Sequence, residues 1–378
     1  MKICIVTRNI MKGDGQSRVN YEIAWEAIRC GHDVTMLASS VDLELQQSPQ
    51  AHWIEIQVQK WPTQILGGLA FSWQCARWLA RHRAGLDVVM VNGANTNERS
   101  DINAVHFVHT SWLRSHVHPW QLRRDLYGAY QWLFSALNAY WEKKAFQKTN
   151  IVVAVSEKVK QELLNIGVPS DRIRVILNGV DLHEFSPGTS DRLKLGLPEG
   201  VTLALFVGDI LTSRKNLDSV LRALVNTPDL HLAVAGTTEG SPFPKLVSDL
   251  NLSQRVHFLG FRRDVSELMK GADFFVFPSR YEACTLVLLE AIASGLPVIT
   301  ANSAGGAEII TPDCGIVLPD SEDIQALAEA LTKLASDRNQ RDRMGHAARA
   351  IAERHSWTSI AQKYVEIFEE LTKVQVQV

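Results

Sequence analysis

The stretch Phe277–Thr300, FPSRYEACTLVLLEAIASGLPVIT, leaves the chain little choice of fold. An apolar run, Phe274–Phe277, has the length of a fully buried strand and stops at Pro278. A polar elbow, Ser279–Glu282, follows it. A helical run then extends to about Ser294, Gly295 ends it, and Val298–Thr300 reads as the next strand. Apolar strands joined through a helix are built for a parallel sheet covered on both faces. Glu282 falls in the loop at the carboxyl end of the strand, and Glu290 eight residues on, an expected two turns into the helix. Ligands of open α/β sheets bind beyond the carboxyl ends of the strands, where helix N-termini favour anions. Two carboxylates there suit the hydroxyls of one elongated polar ligand.

The same alternation runs through the rest of the chain, whose 378 residues are too many for one ordinary core. Pro, Gly and Ser cluster up to Ser190, which predicts domains over 1–186 and 187–356 and a final amphipathic helix over 357–378. In the first part, Lys2–Val6, Val34–Ala38, Val88–Val91, Ala104–Val108 and Ile151–Val155 read as strands, with Ser17–Cys30 a helix and Ser156 the N-cap of another. His109 closes the Ala104–Val108 strand, where an imidazole serves as hydrogen-bond donor or base, while His106 is expected to point elsewhere. In the second part, Thr202–Val207 ends at Gly208-Asp209, and Arg214 and Lys215 precede the helix Leu217–Val225. Cations at a helix N-terminus oppose the helix dipole. Either a bound anion such as a diphosphate resolves that conflict or both side chains are simply solvated. Gly305-Gly306-Ala307-Glu308 offers a further turn of backbone amides suited to an anion.

Gly13-Asp14-Gly15 after the first strand invites a dinucleotide reading, but position 18, where a third glycine is needed, is Arg18. Composition narrows the classes further. With 46% hydrophobic and 21% charged residues and a net charge of -2, nothing favours nucleic acid as a partner. Arg8 interrupts the N-terminal apolar run too early for a signal peptide, and no apolar stretch is long enough to span a bilayer. The five cysteines lack metal-site or disulfide spacing, so a cytoplasmic protein with reduced thiols is expected. Nine of the ten tryptophans precede residue 142, which assigns different tasks to the two halves. The aromatic and basic stretches Trp61–Arg83 and Trp112–Lys148, the latter read as helical, either rest on an anionic membrane surface, line a groove for a glycan or lipid, or fill the core.

Taken together, these motifs resemble the retaining, nucleotide-sugar-dependent glycosyltransferases of family 4. The resemblance covers almost the whole chain. It rests on the E-x7-E pair Glu282–Glu290, GHDVTML at 31–37, AVSE at 154–157, LNGVD at 177–181, RKN at 214–216 and GGAEII at 305–310. It implies the GT-B architecture: two Rossmann-like α/β domains facing across a cleft, with the last helix returning to the first domain. It further implies a donor, UDP- or GDP-linked, held by the second domain, and a glycan, lipid-linked or small-molecule acceptor held by the first. Glu290 would hold the ribose hydroxyls, Lys215 the diphosphate, and Glu282 the donor sugar. His109 would lie beside the transferred sugar. Gly15, Gly208, Arg214, Cys284, Thr285 and Leu286 complete the implied donor contacts, with no metal and no other cofactor.

Three positions depart from the family pattern. Asp209 replaces an arginine after the strand glycine, Asp14 replaces the first glycine of a GG loop, and Glu282-Ala283-Cys284-Thr285 stands for an E-G-F-G form, losing its two glycines at Ala283 and Thr285. Rival readings are a nucleotide-sugar epimerase, a sugar phosphorylase, or a non-catalytic nucleotide-sugar-binding subunit.

Overall fold

The computed structural model describes residues 1–13 and 15–376, with the side chains of 374–376 left aside. The chain divides into two units, Met1–Gly179 joined by the segment from Trp357 onward, and Val180–Ser356.

The first unit is built on seven parallel strands: β1 (Lys2–Val6), β2 (Asp33–Ala38), β3 (Ala51–Glu55), β4 (Val88–Asn92), β5 (Ser100–Val105), β6 (Thr149–Ala154) and β7 (Ile173–Val175). Their spatial order is β3-β2-β1-β4-β5-β6-β7. The second unit has six, β8 (Thr202–Val207), β9 (Leu230–Ala235), β10 (Val256–Gly260), β11 (Phe274–Phe277), β12 (Val298–Ala301) and β13 (Gly315–Leu318). Their order is β10-β9-β8-β11-β12-β13, again all parallel. In each sheet the order reverses beside the first strand, the topological switch of doubly wound folds that opens a crevice at the carboxyl ends. Helices cover both faces, so the central strands are apolar throughout. Phe274, Phe275, Val276 and Phe277 are fully buried, each worth about 1.5–3 kcal/mol of hydrophobic stabilisation.

The division falls between Gly179 and Val180, ahead of the boundary expected after Ser186. Residues 180–186 are tied to the second unit by Phe185, which is buried in its core. Arg349 also donates to the carbonyls of Leu182 (3.4 Å), Phe185 (3.0 Å) and Ala293 (2.9 Å). The final helix, Trp357–Val376, packs on the Gly15–Arg29 helix of the first unit. Gly179 permits this crossing, since a Cβ there would lie 2.6 Å from the Trp357 ring.

Three expected elements change. The Ala104–Val108 strand is Ser100–Val105, so His109 opens a short helix, His109–Arg114. The Trp112–Lys148 helix breaks into three, because Pro119 starts a new turn and Asp125 caps Leu126–Gln147 by accepting from the Gly128 amide at 2.8 Å. The helix after the Glu282 elbow begins only at Leu286. Residues 282–285 are tied to the loop at Gly305 instead, with Gly305 N donating to Glu282 O at 3.0 Å and Thr285 N to Gly305 O at 2.9 Å. Glu290 therefore sits just over one turn into the helix. Among the described residues no helix is long and apolar enough to cross a membrane.

Candidate active site

In the second unit the residues singled out after β8 and β11 meet. Ser213–Lys215 is a single tight turn, and Asn216 follows it in the left-handed region (φ 66°). Asparagine tolerates that conformation better than most residues. The fully buried Asn216 side chain fixes the turn by donating to Pro278 O (3.0 Å) and Ser321 O (2.7 Å). The turn is stitched to the elbow after β11 by Arg280 N and Ser279 Oγ, both donating to Arg214 O, at 3.0 and 3.1 Å. Arg280 is locked in turn by Asp218 (2.7 Å) and Glu322 (2.5 Å). Burial by itself would depress its pKa, but those carboxylates reverse the sign and hold it above the usual arginine range.

This scaffold delivers both cations to one carboxylate. Glu282 Oε1 accepts from Arg214 at 2.5 Å and also from Lys215 Nζ. The charge conflict expected at this helix start is therefore met from within the protein by Glu282, 67 residues away from Lys215. Lys215 Nζ also lies 5.0 Å from the centre of the Phe277 ring. Burial pulls the Lys215 pKa below the ordinary lysine value. Glu282 works against that shift, and the like charge of Arg214 works with it.

Gly208, at the end of β8, packs against the same group: a Cβ there would stand 3.3 Å from Phe277 and 3.6 Å from Lys215. Cys284 is half-buried. Thr285 is buried with no partner for its hydroxyl among the described residues, Leu286 begins the helix, and half-buried Glu290 follows on it. Asp209 is exposed and caps its own loop, its carboxylate accepting from Leu211 N (2.9 Å) and Thr212 Oγ1 (3.2 Å). Beyond Gly208 opens a cavity of about 290 Å³ that Gly236, Thr237, Phe261 and Arg262 also line. Gly236 is required there, since a Cβ would fall 2.3 Å from Gly208 O.

The first unit carries His109 and Gly15. His109 Nδ1 lies 2.6 Å from Glu142 Oε1, and its backbone amide donates to Glu142 Oε2 at 3.0 Å. A carboxylate on Nδ1 keeps the proton there and leaves Nε2 as the acceptor of the neutral ring. Gly15 is the first residue of its helix, and Asp14 lies outside the described residues.

His109 and Glu142 line a cavity of about 370 Å³ together with Thr7, Arg8, Asn92 and His106, and with the rings of Phe107, Phe134 and Trp141. Contrary to expectation, His106 shares this cavity. β5 ends at Val105, so strand alternation does not extend to it. Its Nε2 is sequestered without a partner among the described residues, and burial pushes its pKa down to about 4. Sequence reasoning missed Glu142, Arg8, Asn92, Gly236 and Phe261. For the last two, the glycine-bearing ends of β9 and β10 were the available signal.

Two parallel sheets with charged loops at their strand ends define the class. The fold is of the GT-B class, and the chain matches Glycosyltransferase Family 4 over residues 13–184 and Glycosyl transferases group 1 over 189–351. Particular relatives are more distant. An uncharacterized glycosyltransferase of Methanocaldococcus jannaschii is 30% identical over 57% of this chain and 59% of its own. The lipopolysaccharide glucosyltransferase WaaG of Escherichia coli is 35% identical over 61% of this chain and 65% of its own. These alignments thus span less than two thirds of either relative. The sucrose-phosphate synthase of Thermosynechococcus elongatus shares the fold, with a TM-score of 0.80 over 99% of both chains at 21% identity.

Proposed function

We propose that this protein transfers a sugar from a UDP- or GDP-sugar to an acceptor hydroxyl with retention of anomeric configuration, in the synthesis of a glycan or glycolipid. The observation that carries the reading is the convergence of Arg214 and Lys215 on Glu282 at the strand ends of the second unit. In the reaction, the bond between the anomeric carbon and the β-phosphate oxygen breaks as the acceptor oxygen bonds to the same face. The acceptor proton passes to a β-phosphate oxygen. Lys215 and Arg214 stabilise the charge that grows on the departing diphosphate, the kind of preorganised electrostatics that contributes most in a site shielded from water. That role gives the reaction its cations without a metal ion, so activity is expected to survive chelation.

Glu282 turns from the two cations to the hydroxyls of the donor sugar, and Glu290 holds the ribose. Thr285, Leu286, Cys284 and Gly208 line the donor, and Gly15 is assigned to its phosphates. His109, oriented by Glu142, contacts the transferred sugar, so the glutamates are clamps and not the acid–base pair of a glycosidase. The name of the E. coli relative supports a saccharide acceptor.

A peripheral, cytoplasmic-side contact with anionic membrane is part of the proposal. Leu66, Leu69 and Trp73 on one helix, and Leu126, Tyr127, Trp132, Leu133 and Tyr140 on another, are exposed. Apolar side chains near Arg77 and Lys144 suit an interface of lipid headgroups.

The test is NMR of the product after incubation with nucleotide-sugars and candidate acceptors in EDTA. Retained anomeric configuration supports the reading. Inverted product, phosphate-dependent cleavage or epimerised sugar overturns it.

A further inference from the structure

The cavity of the first unit contains a cation that nothing in the reading above uses. Arg8 leaves the end of β1 and lines the cavity, half-buried, and its guanidinium has no hydrogen-bond or ion-pair partner among the described residues. Burial lowers its pKa, and no carboxylate among the described residues offsets the shift. Among the described residues, the other charged and titratable groups lining the cavity are Glu142, His109 and His106. Glu142 is committed through both oxygens to His109, and His106 is held neutral by burial.

Room for the guanidinium is built into the neighbouring helix. Gly68 lies inside Gln64–His82, where glycine costs about 1 kcal/mol relative to alanine. A Cβ at Gly68 would come 3.0 Å from Arg8 Nη2. A second polar group points to a ligand independently. Asn92, which lines the same cavity, is 3% exposed; its Nδ2 donates to Ala104 O at 3.2 Å, and its Oδ1 has no partner among the described residues. An isolated arginine retained in a partly dry site is costly unless an anion joins it, and guanidinium pairs best with the planar or tetrahedral oxygens of carboxylate and phosphate. Phe134 and Trp141 supply apolar ring faces in the same cavity, and Asn92 Oδ1 supplies an acceptor for a hydroxyl.

We infer that the first unit binds an anionic sugar, a saccharide carrying a phosphate or a carboxylate, with Arg8 on the anion and Asn92 on a hydroxyl. The inference rests on the transferase reading and sharpens it: the acceptor is an acidic or phosphorylated sugar, not a neutral one.

Calorimetric titration of the whole protein tests this with glucose 6-phosphate, mannose 6-phosphate, glucuronic acid, glucose, mannose and inorganic phosphate. At least one anionic sugar should bind tenfold or more tighter than its neutral counterpart, and comparison of the phosphate and carboxylate arms identifies the anion. Arg8→Gln should abolish that preference, and Arg8→Lys should restore part of it. Gly68→Ala, which keeps the charge but crowds it, should weaken the preference while leaving the fold intact. Equal binding of neutral and anionic sugars, no anionic sugar bound, or inorganic phosphate bound as tightly as any sugar phosphate overturns the inference. So does an Arg8→Gln variant whose loss is confined to UDP or GDP, since the arginine would then serve the donor. Failure of the unmodified protein to bind any nucleotide-sugar instead removes the transferase reading, a separate result.

Discussion

Replacing Glu282 with glutamine tests the charge cluster of the second unit directly. The substitution keeps the shape of the side chain and removes the carboxylate that Arg214 and Lys215 share. Removing one partner of a buried pair typically costs about 3–5 kcal/mol, because the other charge is left uncompensated. Here the Lys215 and Glu282 side chains are 14% and 13% exposed, and Lys215 can release its proton, so the lower end, about 3 kcal/mol, is expected. In a unit the size of residues 180–356 that corresponds to roughly 6–12 °C in Tm.

The deficit should depend on pH with a definite sign. Burial sets the Lys215 pKa in the folded protein below its unfolded value, and losing Glu282 lowers it further. Between the folded and unfolded pKa values the unfolded chain binds the extra proton, so stability rises with pH there. The variant enters this window at lower pH than the parent. Its deficit is therefore largest near neutrality and shrinks as pH is raised through the alkaline range.

Scanning calorimetry at several pH values between neutrality and the lysine range reads both effects. Added UDP or GDP should raise the Tm of Glu282→Gln more than that of the parent, since a diphosphate replaces the missing negative charge. A variant with unchanged Tm and a deficit flat in pH would refute the cluster.

Two further outcomes follow from the structure. His106, with a pKa near 4 against about 6.5 when unfolded, destabilises the protein as pH falls between those values, because only the unfolded chain takes up the proton. Relative to His106→Asn, the parent should lose about 3 kcal/mol across that window in urea unfolding of the first unit, and parallel profiles would contradict the burial. Gly236→Ala should cost about 1–3 kcal/mol by overpacking against Gly208 O, as thermal melts would show, whereas Gly85→Ala, with nothing within 4 Å, should cost far less.

Most of the sheet framework could be read from single apolar runs, since parallel strands buried on both faces announce themselves as such. Lys2–Val6, Thr202–Val207 and Gly315–Leu318 fall where the pattern puts them, and Ser156 caps its helix, accepting from Val159 N at 3.1 Å. The edge strand Ala51–Glu55 went unread because its residues are only partly covered and show no clean alternation. Helix breaks at Pro119 and Asp125 carried local signals that the apolar periodicity masked.

The site was legible as residue types at strand ends, not as contacts. The pairing of Lys215 with Glu282, and of His109 with Glu142, joins residues 67 and 33 positions apart, which no local spacing encodes. Arg8 is the plainest case. In sequence it merely ends an apolar run, and only its lack of a partner among the described residues, inside a cavity, makes it a candidate for binding.

The central claim is that Lys215 and its neighbours hold an activated sugar nucleotide. Calorimetric titration of UDP- and GDP-sugars into the protein and into Lys215→Ala measures this most directly. The account predicts that one nucleotide-sugar binds the unaltered protein and that the variant, still folded, binds it roughly ten- to hundredfold more weakly, as expected for a lost charged hydrogen bond. Equal affinity in the two proteins, or no nucleotide-sugar bound by the unaltered one, would contradict it.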